Sequence, residues 1–438
     1  MAGVSLAWLL DGARDVVLLE ARESLGGNVQ SIPVEVDGEM CVVDMGAQYF
    51  HPGPYPTYVK LLALLDLLRE VHSFPASITV DSPGERTPRF VSPLWPNRIS
   101  PLLTPWNRAG LQAFGACFIA AKKREEEGGS WDLTLQDWLP TLGLSSDQWE
   151  GMLLPWAASL FSGSVEQTRG LSARAAMIFV AKALPDNLAE PFLYYVLKSG
   201  MAEVLRRMTE QFATVRVLTG AAVTQITREV QGGFVIKYGN GQHLRVHDLV
   251  FASSGPSSLE LLKQLPGTDA QQAALQSIQF VDARLILHSD PVYAPAGSKK
   301  WSFCNAEVQP GHCDASMWLA QVLPIPPPDT AAKLWKSWVT HRTHFPSKIL
   351  YQAQYRHMLP TPAGLRSQTS LLTFQGQGNL WFAGGYLKPY DSQETALVSA
   401  LEIAHGMLVD SARTRALRNG LNSFLTPKDR LRLNPASR

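Results

Sequence analysis

The chain has 438 residues, of which 45% are hydrophobic and 18% are charged, and its formal net charge is +1. This composition predicts a globular protein long enough for two domains, and it excludes collagen-like and largely disordered chains. The near-neutral charge gives no indication of nucleic-acid binding. No apolar run approaches the ~20 residues of a membrane span, and residues 2–10 lack the basic region of a secretory signal. We therefore expect a cytoplasmic protein without a transmembrane segment.

The first predicted element is a helix over residues 3–10, and a short buried strand over 16–19 follows it and ends in Glu20. An acid at the carboxyl end of a parallel strand can hydrogen-bond the ribose of a dinucleotide. Gly3 occupies the position of the third glycine of a G-x-G-x-x-G turn. The strand and the two glycines that would precede Gly3 are not in the sequence. A mis-set start is the expected explanation, and a naturally shortened chain that binds cofactor weakly is the alternative.

A second glycine motif follows directly, since Arg22, Gly26, Gly27 and Ser31 fit the pattern R-x-x-x-G-G-x-x-x-[ST]. Paired glycines let the backbone pass close to a pyrophosphate because they have no Cβ. Backbone N–H groups and the Ser31 hydroxyl can then donate hydrogen bonds to it. The motif therefore predicts that a dinucleotide lies along this loop.

Three later regions continue the pattern of strands that end in glycine turns. A strand that begins at 42 runs into a turn at 46–47, and a strand over 379–383 ends in a glycine pair before a helix over 394–404. The start of such a helix favours bound anions. The region 199–255 predicts a helix, a strand, a hairpin around 239–241 and a closing strand.

Together these motifs resemble the flavin-containing amine oxidoreductase superfamily, which includes amine oxidases, protoporphyrinogen oxidases and carotenoid desaturases. The chain looks most like a bacterial-type branch of amine-oxidase-like FAD/NAD(P)-binding proteins, over residues 1 to about 410. The resemblance implies an α/β fold with α+β inserts. A Rossmann-like FAD/NAD(P)-binding domain would comprise 1–51, 199–255 and 371–410. A discontinuous substrate domain with a mixed sheet and helices would comprise 52–198 and 256–370.

The resemblance also implies FAD as the cofactor. The residues that it assigns to FAD binding are Gly3, Glu20, Ala21, Arg22, Gly26, Gly27, Asn28, Ser31, Gly46, Ala47, Val223, Gly384, Gly385, Glu394, Thr395 and Ala396.

The substrate segments predict helices over 58–71, 111–123, 133–139 and 153–162, and strands over 283–288, 315–323 and 348–355. A proline-rich loop lies at 324–328. The basic segment 411–438 predicts a solvated, partly disordered tail, with a contact to a membrane surface or a partner as the alternative.

The implied reaction is hydride transfer from an amine, or from an apolar C–C or C–N donor, to the flavin of a FAD-dependent oxidoreductase. A catalytically degenerate relative and a flavin-dependent isomerase are the alternatives. The substrate would be a small molecule, and the oligomeric state stays open.

Amine oxidases of the superfamily often place a lysine near the flavin. Lys299 and Lys300 are the candidates for this lysine, and the other interpretation is that they lie in an exposed loop. Tyr386 and Tyr390 lie near the motif that carries flavin-facing aromatic residues, but no catalytic side chain is assigned.

The four cysteines form no C-x-x-C motif and have no metal-ligand spacing with histidines. We expect buried, reduced thiols and no metal site. The residues concerned are Cys41, Cys117, Cys304 and Cys313.

Overall fold

A computed structural model describes residues 1–94, 98–187, 190–323 and 333–418. The proline-rich loop and the segment 419–438 of the predicted tail lie outside these ranges. The strands are β1 (Val17–Leu19), β2 (Ser31–Val36), β3 (Glu39–Asp44), β4 (Val71–Pro75), β5 (Ile78–Asp81), β6 (Phe90–Val91), β7 (Leu193–Leu197), β8 (Arg216–Leu218), β9 (Val223–Arg228), β10 (Phe234–Tyr238), β11 (Gln242–Val246), β12 (Leu249–Phe251), β13 (Gln279–His288), β14 (Cys304–Gln309), β15 (His312–Trp318), β16 (Trp335–Trp338), β17 (Ile349–Leu359) and β18 (Leu380–Phe382).

Seven of the helices follow one another between β6 and β7, and the others lie before, between or after the remaining strands. They are α1 (Ala2–Leu10), α2 (Pro56–Leu64), α3 (Ser100–Leu103), α4 (Arg108–Glu126), α5 (Leu135–Trp138), α6 (Ser146–Gln148), α7 (Leu154–Phe161), α8 (Val165–Arg169), α9 (Ala173–Ala183), α10 (Ala202–Glu210), α11 (Gly255–Leu262), α12 (Asp269–Gln276), α13 (Pro362–Thr373), α14 (Gln393–Gly406) and α15 (Ala412–Arg418).

Two parallel strand pairs and a meander form the part of the fold that carries the glycine motifs. β1 pairs with β8 and β12 pairs with β18, both in parallel, while β9, β10 and β11 form an antiparallel sheet. The first turn of α1 lies against both parallel pairs: a Cβ built on Gly3 would be 3.2 Å from Ala252 Cβ and 3.4 Å from Leu18 Cδ1. The ends of β1 and β12 therefore open toward one region of the molecule.

A seven-stranded mixed sheet forms the other part, in the order β17-β13-β16-β15-β14-β5-β6. Its neighbours are antiparallel except for β14 and β5, which are parallel. β5 and β6 come from the segment 52–198 and the other strands from 256–370, so the two predicted insertions join in one sheet. β16 was not predicted, because its four residues lack the length of a typical strand signal.

Helices α4, α7 and α9 pack together beside this sheet. Phe114 of α4 packs edge-on against Trp156 of α7, with ring centroids 5.1 Å apart, and stacks on Phe90 of β6 at 4.3 Å. Such aromatic pairs stabilise a core beyond the area that they bury. A separate core joins α1, α2 and α14 through fully buried leucines, among them Leu9, Leu61 and Leu397.

The prediction of a solvated tail from residue 411 is wrong for residues 412–418, which form the packed helix α15. Leu417 is buried, and its carbonyl oxygen accepts a hydrogen bond from Lys60 Nζ at 2.6 Å. Arg413 lies over the Trp8 ring and pairs with Asp11 at 3.2 Å. One buried leucine and one stacked arginine thus fix a segment that its charge alone suggested was free in solvent.

The described residues form a mixed α/β fold, which confirms the predicted fold class. The division into two domains at the stated boundaries stays a prediction. In the described ranges, no helix combines the length and the apolar character of a membrane span.

Candidate functional site

A single cavity of about 3260 Å³ runs between the glycine-motif part and the seven-stranded sheet. Sites for one small ligand usually measure ~300–1,000 Å³, so this space accommodates a large cofactor together with a second molecule. The ends of β1, β12 and β18 meet its wall, as expected for ligand sites at the carboxyl ends of parallel strands.

Most of the residues assigned to FAD from the sequence lie on the wall of this cavity. Those that line it are Gly3, Glu20, Ala21, Arg22, Gly26, Gly27, Asn28, Gly46, Ala47, Val223, Gly384, Gly385 and Ala396.

Ser31, Glu394 and Thr395 are not among the lining residues, and their polar groups bind other parts of the chain. Ser31 Oγ donates to the Asp44 carboxylate and accepts a hydrogen bond from the Ala202 N–H at 2.9 Å. Thr395 caps its own helix through reciprocal hydrogen bonds with Ser392.

The Glu394 carboxylate acts at the start of a different helix, α2. It accepts hydrogen bonds from the Thr57 N–H at 3.1 Å and the Tyr58 N–H at 2.6 Å. These N–H groups belong to the first turn of α2 and have no partner within that helix. The acid that the sequence assigned to the cofactor therefore caps α2.

Two loops approach each other so closely at the cavity that only glycine fits. A Cβ on Gly46 would lie 2.9 Å from the Asn28 carbonyl carbon and closer still to its oxygen, which also accepts a hydrogen bond from the Ala47 N–H at 2.9 Å. Gly26 has φ +136° and a Cβ there would overlap the Val29 carbonyl oxygen, whereas Gly27 has φ +61° with open space beside it. The backbone at Gly26 and Gly27 therefore has no side chain that could stand between it and the cavity, as the approach of a pyrophosphate requires.

Glu20 stands at the carboxyl end of β1, where its position follows from strand pairing. Its N–H donates to the Leu218 carbonyl of β8 at 2.9 Å, and its Oε1 accepts a hydrogen bond from the Arg22 N–H at 2.9 Å. The carboxylate is held on the cavity wall beside the glycine loop. This arrangement fits the ribose of a bound dinucleotide.

The glycine pair after β18 is fixed by contacts with α14. The Gly384 N–H donates to Ser399 Oγ at 3.0 Å, and a Cβ on Gly385 would overlap Asp391 Oδ1. The chain then continues into α14, and residues of the first turn of this helix line the cavity. We call the glycines at 26–27, 46 and 384–385 the glycine cradles; they line one cavity together with Glu20, as expected for a dinucleotide site.

Lys336 is the functional candidate that sequence reasoning missed. It lies on β16, is 1% exposed and lines the cavity. Its Nζ donates to the Asp44 carbonyl oxygen at 2.8 Å and to Gln48 Oε1, and it lies 5.2 Å from the centre of the Tyr49 ring. Burial lowers the pKa of Lys336 below its ordinary value, although the Asp44 carboxylate opposes the shift. A lysine placed between two tryptophans in the four-residue strand Trp335–Trp338 was the available signal.

The lysines proposed from the sequence are not on the cavity wall. Lys299 and Lys300 occupy a short turn after Gly297, as in the exposed-loop interpretation. Tyr386 and Tyr390 do line the cavity, and the Tyr390 hydroxyl donates to the Pro54 carbonyl oxygen at 2.8 Å.

Aromatic rings surround the part of the cavity next to Lys336. Phe303 packs against Tyr49 at 5.0 Å and against Tyr194 at 5.4 Å, and Tyr194 stacks on Phe179 at 5.3 Å. The Tyr49 hydroxyl is buried and has no hydrogen-bond partner among the described residues. We refer to Tyr49, Phe179, Tyr194 and Phe303 as the aromatic chamber.

Within the part of the chain that the structure describes, no group of three or more His, Cys, Asp or Glu residues is arranged to hold a metal ion. Burial raises the pKa of Cys304, which lines the chamber side of the cavity, to about 12, so its thiol keeps its proton.

The fold and the glycine positions are those expected of a dinucleotide-binding protein. The family model described as "Flavin containing amine oxidoreductase" matches residues 1–284, and the chain belongs to that family. FAD is the cofactor that this family and this site share.

Solved structures support the fold at low sequence identity. A putrescine oxidase double mutant aligns with a TM-score of 0.65 at 14% identity, covering 93% of this chain and 97% of its own. A fatty acid isomerase from P. acnes aligns with a TM-score of 0.65 at 13% identity. Cyclohexylamine oxidase from Brevibacterium oxydans aligns with a TM-score of 0.61 at 15% identity, and both alignments cover the same shares of the two chains. A search of curated protein sequences returns no significant match.

Proposed function

We propose that this protein is a FAD-dependent oxidoreductase that transfers a hydride from an amine, or from an apolar C–C or C–N donor, to the flavin. The observation that carries the proposal is the continuity of one cavity from the glycine cradles and Glu20 to the aromatic chamber and Lys336. A cofactor bound along the cradles and a donor in the chamber would meet inside this space.

The ribose and the pyrophosphate of the cofactor would each find a group suited to them. Glu20 would accept hydrogen bonds from ribose hydroxyls, and the bare backbone at Gly26 and Gly27 would donate to the pyrophosphate. When bound, FAD supplies the redox chemistry, and the protein supplies orientation and exclusion of water. The aromatic chamber would serve the second purpose, since a donor that fills it would be surrounded by aromatic rings instead of water.

Lys336 is suited to hold or accept a proton beside the donor. A neutral amine has two N–H donors, and the Asp44 carbonyl and Gln48 Oε1 provide two acceptors. The nitrogen lone pair is then left for a water molecule or for an N–H of the donor. Burial makes this neutral form accessible near physiological pH, which is the usual requirement for a proton-transfer group.

A flavin-dependent isomerase is the second candidate, favoured by the apolar character of the chamber. Such an enzyme would return the hydride to the same molecule and leave no net reduction of the flavin. The degenerate-relative alternative is less favoured because the close loop contact at Gly46 and the position of Glu20 are intact.

The test is the absorbance spectrum of the purified protein after addition of FAD and gel filtration. We expect retained flavin bands, and 10- to 100-fold weaker FAD binding in Glu20→Ala, since hydrogen bonds to a charged group contribute ~1.5–3 kcal/mol. Glu23→Ala is the matched control, because Glu23 is in the same loop but not on the cavity wall. Protein that stays colourless would refute the proposal.

Addition of a donor without oxygen then separates the oxidoreductase from the isomerase. Lasting loss of the flavin absorbance indicates an oxidoreductase, and product formed without this loss indicates an isomerase.

A further inference from the structure

The cavity extends beyond the aromatic chamber along one face of α4. The α4 side chains on its wall are spaced i, i+3, i+4, i+7 and i+8, which places them on a single helix face. They are Leu111, Phe114, Gly115, Phe118 and Ile119. This stripe runs ~12 Å along the helix at 1.5 Å per residue. Trp156 and Leu160 of α7 contribute to the wall of the same cavity, and we call this extension the α4 channel.

The α4 channel reaches the surface through an apolar rim. Leu102, Ile119 and Leu160 line the cavity and yet are 49%, 50% and 41% exposed. Leu103 and Trp106, beside Leu102 in sequence, are exposed as well. Large apolar side chains grouped in solvent around an opening commonly mark a site that receives an apolar ligand.

Charged groups are nearly absent from this side of the cavity. Among the described lining residues between 49 and 194, Glu190 is the one charged side chain, and it is exposed. At the inner end lies Lys336, whose amine is either neutral or positively charged and so cannot form an ion pair with a cation. An ammonium ion in the α4 channel would therefore lose its hydration without gaining a carboxylate, which is strongly unfavourable.

We infer that the substrate is an elongated hydrocarbon chain whose inserted part carries no charge, and that it enters through the apolar rim and lies along the α4 channel. The inference rests on the proposed function for the identity of the reacting end, which would lie in the aromatic chamber beside Lys336. Removal of the apolar surface of the chain from water provides the affinity. A short diamine would gain little of this energy and would find no partner for its charges.

Gly115 offers a direct way to obstruct the α4 channel. It lies within α4, and a Cβ there would meet no atom within 4 Å. Gly115→Phe therefore places a ring in the channel without a clash at its first carbon. Gly115→Ala is the matched control, since it also raises helix propensity but adds almost no volume.

The experiment measures binding of 1-decanol and of 1,4-diaminobutane by equilibrium dialysis, with the melting temperature and the flavin absorbance recorded on the same samples. We expect decanol to bind and the diamine not to, at least tenfold weaker decanol binding in Gly115→Phe, and a change below twofold in Gly115→Ala. Decanol binding that Gly115→Phe leaves unchanged, or tighter binding of the diamine, would overturn the inference.

The flavin reading separates this inference from the proposed function. If protein without flavin binds decanol, and Gly115→Phe weakens this binding, only the proposed function is refuted. If the protein binds flavin but not decanol, only the inferred substrate site in the α4 channel is refuted. If Gly115→Phe lowers the melting temperature, Ile119→Glu provides the second variant, because this half-exposed position tolerates a charge. It should weaken decanol binding at least fivefold, and Leu103→Glu, exposed but not on the cavity wall, should not. Equal effects of these two substitutions would also overturn the inference.

Discussion

Replacing Gly46 by alanine should separate the two loops that form the pyrophosphate side of the cavity. The new Cβ would lie 2.9 Å from the Asn28 carbonyl carbon and closer to its oxygen, whereas ordinary contacts begin near 3.4 Å. Because both partners are backbone atoms, no side-chain rotation relieves the overlap. The 26–28 loop must move by more than ~1 Å, at a cost of ~1–3 kcal/mol for overpacking, and the Ala47–Asn28 hydrogen bond adds ~1 kcal/mol.

We therefore expect Gly46→Ala to lower the free energy of unfolding by roughly 2–4 kcal/mol and to weaken FAD binding 10- to 100-fold. Urea denaturation and titration of the flavin absorbance measure these two effects. Gly12→Ala is the control: Gly12 has φ +76° and is not on the cavity wall, so it should cost ~1–2 kcal/mol and leave FAD affinity unchanged. A Gly46→Ala protein with normal stability and normal FAD affinity would refute the proposed contact between the loops.

Three further predictions concern buried charged groups. If neutral Lys336 accepts a proton, kcat/KM should rise as the pH passes through the lowered pKa of Lys336. The same rise of kcat/KM with pH in Lys336→Met would contradict this role. Asp11 has a pKa of about 2: burial would raise it, but hydrogen bonds from Ala213, Thr214 and Arg413 outweigh that effect. Ionised Asp11 contributes roughly 1–2 kcal/mol to the free energy of unfolding above pH ~4, and this contribution is lost as the pH falls toward 2. In Asp11→Asn, the free energy of unfolding measured by urea denaturation should therefore fall less steeply between pH ~4 and ~2. The same pH dependence in wild type and variant would contradict this role. Glu394→Ala should lower stability by ~1–2 kcal/mol because it uncaps α2, and Glu394→Gln, which keeps one acceptor, should lose less by calorimetry; equal losses would contradict the capping role.

Local patterns account for what could be predicted from the sequence. The helix at 3–10, the strand that ends in Glu20 and the glycine pair at 384–385 each depend on neighbours within about ten residues. Their element types are confirmed for that reason. The mixed sheet was also expected, because strand-like runs lie at 283–288, 315–323 and 348–355.

Interactions between distant segments account for what could not be predicted. Lys336 became a candidate only when β16 was placed beside the loop at 44–48, nearly 300 residues earlier. Ser31 and Glu394 have the residue types of a cofactor site, but Ala202 and Thr57 engage them from remote parts of the chain. Similarly, Leu417 finds its apolar surroundings against elements far away in sequence, which the local charge pattern does not indicate.

The burial of every cysteine has a practical consequence for labelling. All four cysteines lie in described residues and are buried, and burial raises the pKa of each thiol. Thiolate is the form that reacts with maleimides, so the unmodified protein should alkylate slowly. A cysteine introduced at Leu103 would then be selectively modified, and a spin label or fluorophore attached there would report the arrival of a ligand at the cavity opening without interference from native thiols.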